Sequence, residues 1–121
     1  MVKIYASPAA RTLATAQAIA ATTGAPVETR EPLRERCMGP WDGLTFADIQ
    51  TRWPEDFTRW KQDQTAFKLS PGGESMYDVA ARVQAVLDEI ITAHVAHLVV
   101  VVSHNGAIRA ALCQALRIPL E

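Results

Sequence analysis

The sequence predicts an α/β layered domain, and three observations carry that prediction. Apolar strand-like segments alternate with helical ones along the 121 residues. Leu98 to Val102 is apolar at every position, the pattern of a strand covered on both faces of a parallel sheet. Two segments also share one layout of strand, tight polar turn and helix. They are Ile4-Tyr5-Ala6-Ser7-Pro8 leading to Arg11, and Val101-Val102-Ser103-His104-Asn105-Gly106 leading to Arg109.

Element by element, Val2 to Ala6 reads as a short strand. Ser7 then supplies a helix cap and Pro8 suits a first helical turn. Ala9 to Thr22 is alanine-rich, with Leu13, Ala16 and Ala20 on one face, and Gly24 closes it. Ala25 to Pro32 is extended, with room for a second short strand. Leu33 to Gly43 reads as loop, since it holds two glycines and a proline. Thr45 to Arg52 is a short helix stopped by Trp53-Pro54. Glu55 to Phe67 is another, packing through Phe57, Trp60 and Phe67. Ser70-Pro71-Gly72-Gly73 is a break. From Glu74 to about His94 the spacing of Val79, Val83, Val86 and Ile90 predicts a long amphipathic helix. After the strand Leu98 to Val102, Ser103 to Gly106 is a loop and Ala107 to Leu116 the last helix.

Bulk properties narrow the function classes. Hydrophobic residues make up 49% and charged residues 21% of the chain, an ordinary globular balance. The net charge is −1 with no basic block, which argues against nucleic acid or an anionic membrane surface as partner. No apolar run approaches bilayer thickness, and no leader pattern is visible at Met1-Val2-Lys3-Ile4. Cys37 and Cys113 are isolated, which predicts a reducing, cytoplasmic setting without disulfides.

The chemistry is expected where ligands of open α/β sheets bind, beyond the carboxyl ends of the strands. Arg11 and His104 both fall on that edge. Helix N-termini there offer free N–H groups and partial positive charge, and arginine adds a planar fork matched to phosphate oxygens. The combination points to a phosphate group. A metal site from His94, His97 and His104 is disfavoured for want of a carboxylate or cysteine cluster. A dinucleotide site is disfavoured too, because neither strand is followed by G-x-G-x-x-G.

Four segments carry a family resemblance. Ser7-Pro8-Ala9-Ala10-Arg11-Thr12, Leu33-Arg34-Glu35 with Gly39-Pro40-Trp41-Asp42-Gly43, Pro71-Gly72-Gly73-Glu74-Ser75, and Val101 to Arg109 occur in the order of four motifs of the histidine phosphatase superfamily. The chain resembles that superfamily, with its phosphoglycerate mutase-like three-layer α/β/α fold. The resemblance implies phosphomonoester hydrolysis through a phosphohistidine. Arg11, His104 and Asn105 would hold the phosphoryl group, and Glu35 would donate the proton. Glu74 is read as a favourable charge at a helix N-terminus rather than a catalyst. No cofactor or metal is expected. The partner is a small-molecule phosphate ester, with a homodimer as a possible assembly.

Members of that family open on a strand ending in Arg-His-Gly, whose histidine is the nucleophile. This sequence has no Arg-His-Gly. Cys37, in the Glu35 loop, is read as a packing residue. The resemblance places the missing strand centrally, between the strands of Val2–Ala6 and Leu98–Val102, and both ends of the chain read as cut. The expectation is therefore a single partial domain over residues 1–121, lacking that strand and the C-terminal ones. Two alternatives stand beside the phosphatase reading. One is a non-catalytic phosphoester-binding module; the other is mutase-type phosphotransfer, disfavoured by Arg36-Cys37-Met38-Gly39. Trp53, Phe57 and Trp60 are candidates for a substrate lid, though packing explains them as well.

Overall fold

A computed structural model describes residues 3–121. Met1 and the Val2 end of the first predicted strand lie outside the described residues. Strand β1 (Lys3–Ala6) leads to helix α1 (Ala10–Thr23), then to strand β2 (Val27–Thr29). Helices α2 (Phe46–Arg52), α3 (Pro54–Gln62) and α4 (Met76–Ala93) follow, then strand β3 (Val99–Val102) and helix α5 (Asn105–Leu116). The three strands make one parallel sheet in the order β2-β1-β3.

The layering follows from the period of two along β1. Ile4 and Ala6 point to one face, where they pack with Ala16 of α1 and with Ala25. Tyr5 points to the other, against Leu33 and against Val86 and Ile90 of α4. Helix α5 then packs on α4 through Val79, Ala80, Val83, Ala107 and Ala110. Every residue of the predicted α4 stripe, Val79, Val83, Val86 and Ile90, is buried. A fourth apolar cluster, Trp41, Ile49, Phe57, Phe67 and Leu69, ties α2 and α3 to the loops around them.

Several local boundaries move. Helix α4 starts at Met76, after a capping box in which the Ser75 hydroxyl accepts from Asp78 N and the Asp78 carboxylate accepts from Ser75 N. Glu74 therefore precedes the cap and is not a first-turn charge. Helix α3 ends at Gln62, short of Phe67. The predicted loop after Pro32 holds a second 3-10 turn at Gly39–Trp41, the first being Glu31–Leu33. Helix α5 begins at Asn105, two residues early, with His104 at its N-cap position.

The larger correction concerns sheet order. No strand intervenes between β1 and β3, which hydrogen bond directly in the register Lys3↔Val99 to Ala6↔Val102. Ser7 N extends that ladder to Val102 O at 2.9 Å. The inner edges of both strands are thus satisfied by each other. In the described sheet the outer sides of β2 and β3 are the two that have no neighbouring strand. Accordingly β3 is half-buried at all four positions rather than covered on both faces.

The order also fixes where a ligand can enter. The chain leaves β1 for β2 on one side and returns across it to β3 on the other. The point where the winding reverses lies between β1 and β3, and the crevice beyond their carboxyl ends is the expected binding place.

Candidate active site

The elements that follow β1 and β3 bring Arg11 and His104 together across 93 residues of sequence. Arg11 Nη2 lies 3.0 Å from His104 Nδ1. A guanidinium can only donate, so Nδ1 must accept. The proton of the neutral ring then sits on Nε2, which donates to Ser7 Oγ at 2.8 Å. Ser7 is fully buried, and its carbonyl accepts from Thr12 Oγ1 at 2.8 Å. Ser7 therefore does not cap α1 as predicted: the N-cap is Ala9, without a side-chain bond, and the serine hydroxyl holds the histidine. Burial first, then the neighbouring Arg11, pushes His104 below its ordinary pKa of 6.5, and the neutral form prevails at neutral pH.

Glu35 reaches the same place from the loop after the first 3-10 turn. Its two oxygens accept from Arg36 N at 2.9 Å and Gly106 N at 3.1 Å. The close approach needs glycine at 106, since a Cβ there would meet Glu35 Oε1 at 2.5 Å. The flanking arginines, which by themselves suggest a solvated stretch, are differently used. Arg36 turns inward and donates to Glu74 O, Gln64 O and Phe67 O at 2.7–2.8 Å.

Arg82 of α4 is one of the residues that sequence reasoning missed. Its guanidinium binds the Glu74 carboxylate with two nitrogens, at 2.8 and 3.0 Å. It also donates to Pro32 O, Arg34 O and Glu35 O at 2.7–3.0 Å. One side chain thus sets the backbone of the Glu35 loop. A polar residue on the rim of an apolar helical stripe is the only sequence signal it left.

For Glu74 itself, burial raises the carboxyl pKa, but the bonds from Arg82 and Cys37 N outweigh it and the net shift is downward. Folding therefore makes this group harder to protonate. Its stabilising contribution is present above the ordinary value of 4.5 and is lost as pH falls through the lower folded value. Glu74→Gln should lower the unfolding free energy at neutral pH yet flatten its decline below pH 4.5. Urea titrations on either side of that value would show an unchanged acid slope if the ion pair were not responsible.

Arg11, Thr12, Thr15, Glu35, His104 and Asn105 line one cavity of about 480 Å³. The first turns of α1 and α5 open onto it, and neither carries an acidic residue. His94 and His97 do not approach it: His94 bonds Tyr5 OH at 2.7 Å, and His97 bonds Val95 O. Among the described residues no three His, Cys, Asp or Glu side chains gather as metal ligands, which overturns the three-histidine alternative. Cys37 lies 3.3 Å from Asp42 Oδ2, bound within its own loop rather than facing the cavity.

The profile of the histidine phosphatase superfamily (branch 1) matches residues 1–121. The chain belongs to that superfamily. Among its similar histidine phosphatases is phosphoserine phosphatase 1 of Hydrogenobacter thermophilus, 36% identical over 118 residues, covering 98% of this chain and 56% of that protein. Among solved structures, Bacillus stearothermophilus YhfR superposes with a TM-score of 0.90 at 27% identity, covering 99% of this chain and 59% of that one. Mycobacterial glucosyl-3-phosphoglycerate phosphatase in complex with inorganic phosphate gives 0.80 at 32% identity, covering 98% and 60%. The chain spans little more than half the length of these histidine phosphatases. The phosphoglycerate mutase-like α/β fold expected from the sequence is the fold they share with it. Among the described residues no helix is long and apolar enough to cross a membrane.

Proposed function

We propose that this chain forms the phosphate-gripping and proton-donating part of a phosphomonoesterase acting on small phosphate esters. The observation that carries the reading is the convergence of Arg11, His104 and Glu35 on one cavity at the switch point of the sheet. Arg11 supplies a fixed positive charge and a planar fork for the equatorial oxygens. His104 is neutral and hydrogen bonded at both nitrogens. An incoming dianion draws Arg11 away from Nδ1 and favours protonation there, so the ring becomes a second cation at the phosphoryl group. Asn105, at the head of α5, faces the same oxygens. Glu35 lines the same cavity and, on this reading, protonates the departing alkoxide. Phosphoryl transfer relies mainly on such positioning and charge compensation. The phosphatases and the phosphate complex among its relatives support this reading.

We infer that the nucleophile is not among these 121 residues, a reading supported by His94 and His97, which bond Tyr5 OH and Val95 O and do not line the cavity. We place it in the remainder of a whole protein of which residues 1–121 form a single partial domain. A non-catalytic phosphoester-binding module is the second reading, favoured by that same absence. One pair of measurements separates the two. Both predict that the chain binds inorganic phosphate by calorimetry, and that binding shifts the His104 ring titration upward in NMR. Only the first predicts hydrolysis of an aryl phosphate by the whole protein. A folded chain without phosphate affinity would reject both.

We further propose a cytoplasmic location and association into a homodimer. The apolar groove along β3, lined by Val83, Leu87, Val101, Ala107 and Ile108, supports the latter. Sedimentation at micromolar concentration giving only monomer would overturn it.

A further inference from the structure

Resting on the phosphomonoesterase reading above, we propose that Ser103 is the positioning residue that fixes Glu35, the proton donor of that reading, relative to the phosphate-gripping His104. Its hydroxyl acts through the Glu35 loop rather than on the substrate.

The loop is fastened by a run of backbone carbonyls. Arg82 of α4 takes Pro32 O, Arg34 O and Glu35 O. Leu33 O is the one that Arg82 leaves, and Ser103 Oγ donates to it. The two holds differ in origin. Arg82 does not line the phosphate cavity, whereas Ser103 lines it and directly precedes His104. Ser103 is itself placed by β3, since Val102 pairs with Ala6 and its carbonyl accepts from Ser7 N. A group anchored on a strand is held more precisely than one carried by a loop.

A second contact runs between the same two segments. Gly106 N donates to Glu35 Oε2 at 3.1 Å. Ser103 and Gly106 therefore bracket His104 and Asn105, which line the phosphate cavity. One short segment carries the grip and also holds the Glu35 loop at two points. Gly106 takes the carboxylate, and Ser103 takes the backbone two residues ahead of it. The carboxylate contact alone would let Glu35 swing with its loop, and the backbone contact removes that freedom. Leu33 is a firm anchor, because its side chain is buried with Tyr5, Val86 and Ile90. A serine has one proton to donate, and Leu33 O receives it, so Ser103 is not a second acid.

Two measurements test the assignment. In the chain itself, the Glu35 carboxylate accepts from the Arg36 and Gly106 amides, so their solvent exchange in NMR reports how firmly the loop is placed. Ser103→Ala should speed both exchanges about fivefold, the effect of losing one neutral hydrogen bond. The Ile108 amide, bonded to His104 O within α5, serves as the control. In the whole protein, n-propyl phosphate expels a poor leaving group that needs the proton, and p-nitrophenyl phosphate expels a good one that does not. Ser103→Ala should therefore lower kcat for the propyl ester about tenfold more than for the nitrophenyl ester. A purely structural loss would lower both alike. Ser103→Thr keeps the hydroxyl and should restore both readouts. Unaltered exchange of the two amides, or equal losses on the two esters, would overturn the inference and leave the phosphomonoesterase reading standing. A whole wild-type protein that hydrolyses neither ester would overturn that reading, and the positioning role with it.

Discussion

Replacing His104 by alanine is expected to lower aryl phosphate turnover by the whole protein roughly 100- to 1,000-fold, the usual cost of deleting one donor to developing phosphoryl charge. The side chain does two things that alanine cannot. Through Nε2 it satisfies the buried Ser7 hydroxyl, and through Nδ1 it holds Arg11 at the cavity. Losing the first costs about 1 kcal/mol of stability, because Ser7 has only a long contact with Ala9 N in reserve. Losing the ring also removes the group that, on the proposed reading, becomes a second cation beside the phosphoryl group. His104→Gln separates the two contacts from that charge. A glutamine amide can donate to Ser7 and accept from Arg11, yet it cannot become charged. The glutamine variant should therefore denature near the wild-type urea midpoint while hydrolysing as poorly as the alanine variant. Substantial turnover by either would exclude His104 from the phosphate grip.

Arg82→Ala should be the most destabilising single change in the Glu35 region, by about 3 to 5 kcal/mol. Glu74 and Arg82 pair with side chains 15% exposed each, so removing the cation leaves a largely buried carboxylate without its counter-charge. The same substitution frees the carbonyls of Pro32, Arg34 and Glu35. Against a typical total stability of roughly 5 to 15 kcal/mol, that is a large fraction, readable as a fall in the urea midpoint. Arg82→Lys should recover little, because an ammonium cannot span two carboxylate oxygens and three carbonyls. Where the variant remains folded, loss of turnover should exceed any loss of phosphate affinity, since the loop carrying Glu35 is what moves. A loss below about 1 kcal/mol would mean that the loop is held by other contacts.

Much of the architecture was written in local pattern. The α4 stripe needed only the 3.6-residue period, and β1 and β3 needed only apolar runs ending in polar turns. Arg11, Glu35 and His104 could be picked out because strand-turn-helix junctions and familiar motifs are local signals. Ser7, Arg36 and Arg82 were not legible. Ser7 meets His104 97 positions away, and Arg82 meets Glu35 47 positions away. No periodicity records such contacts, and a buried arginine reads in sequence like any exposed one.

By itself, then, the sequence determined the layered fold, its superfamily and the three residues around one cavity at the carboxyl ends of β1 and β3. The tertiary structure decided the order of the strands, and with it the direct pairing of β1 and β3 that a missing central strand would have forbidden. It also decided the tautomer of His104, and the Arg82–Glu74 pair that holds the Glu35 loop. The physical reason is common to all of these. Helices and strands follow from interactions between near neighbours in the chain, whereas strand order, proton placement and buried ion pairs are settled only when distant segments compete for the same hydrogen bonds.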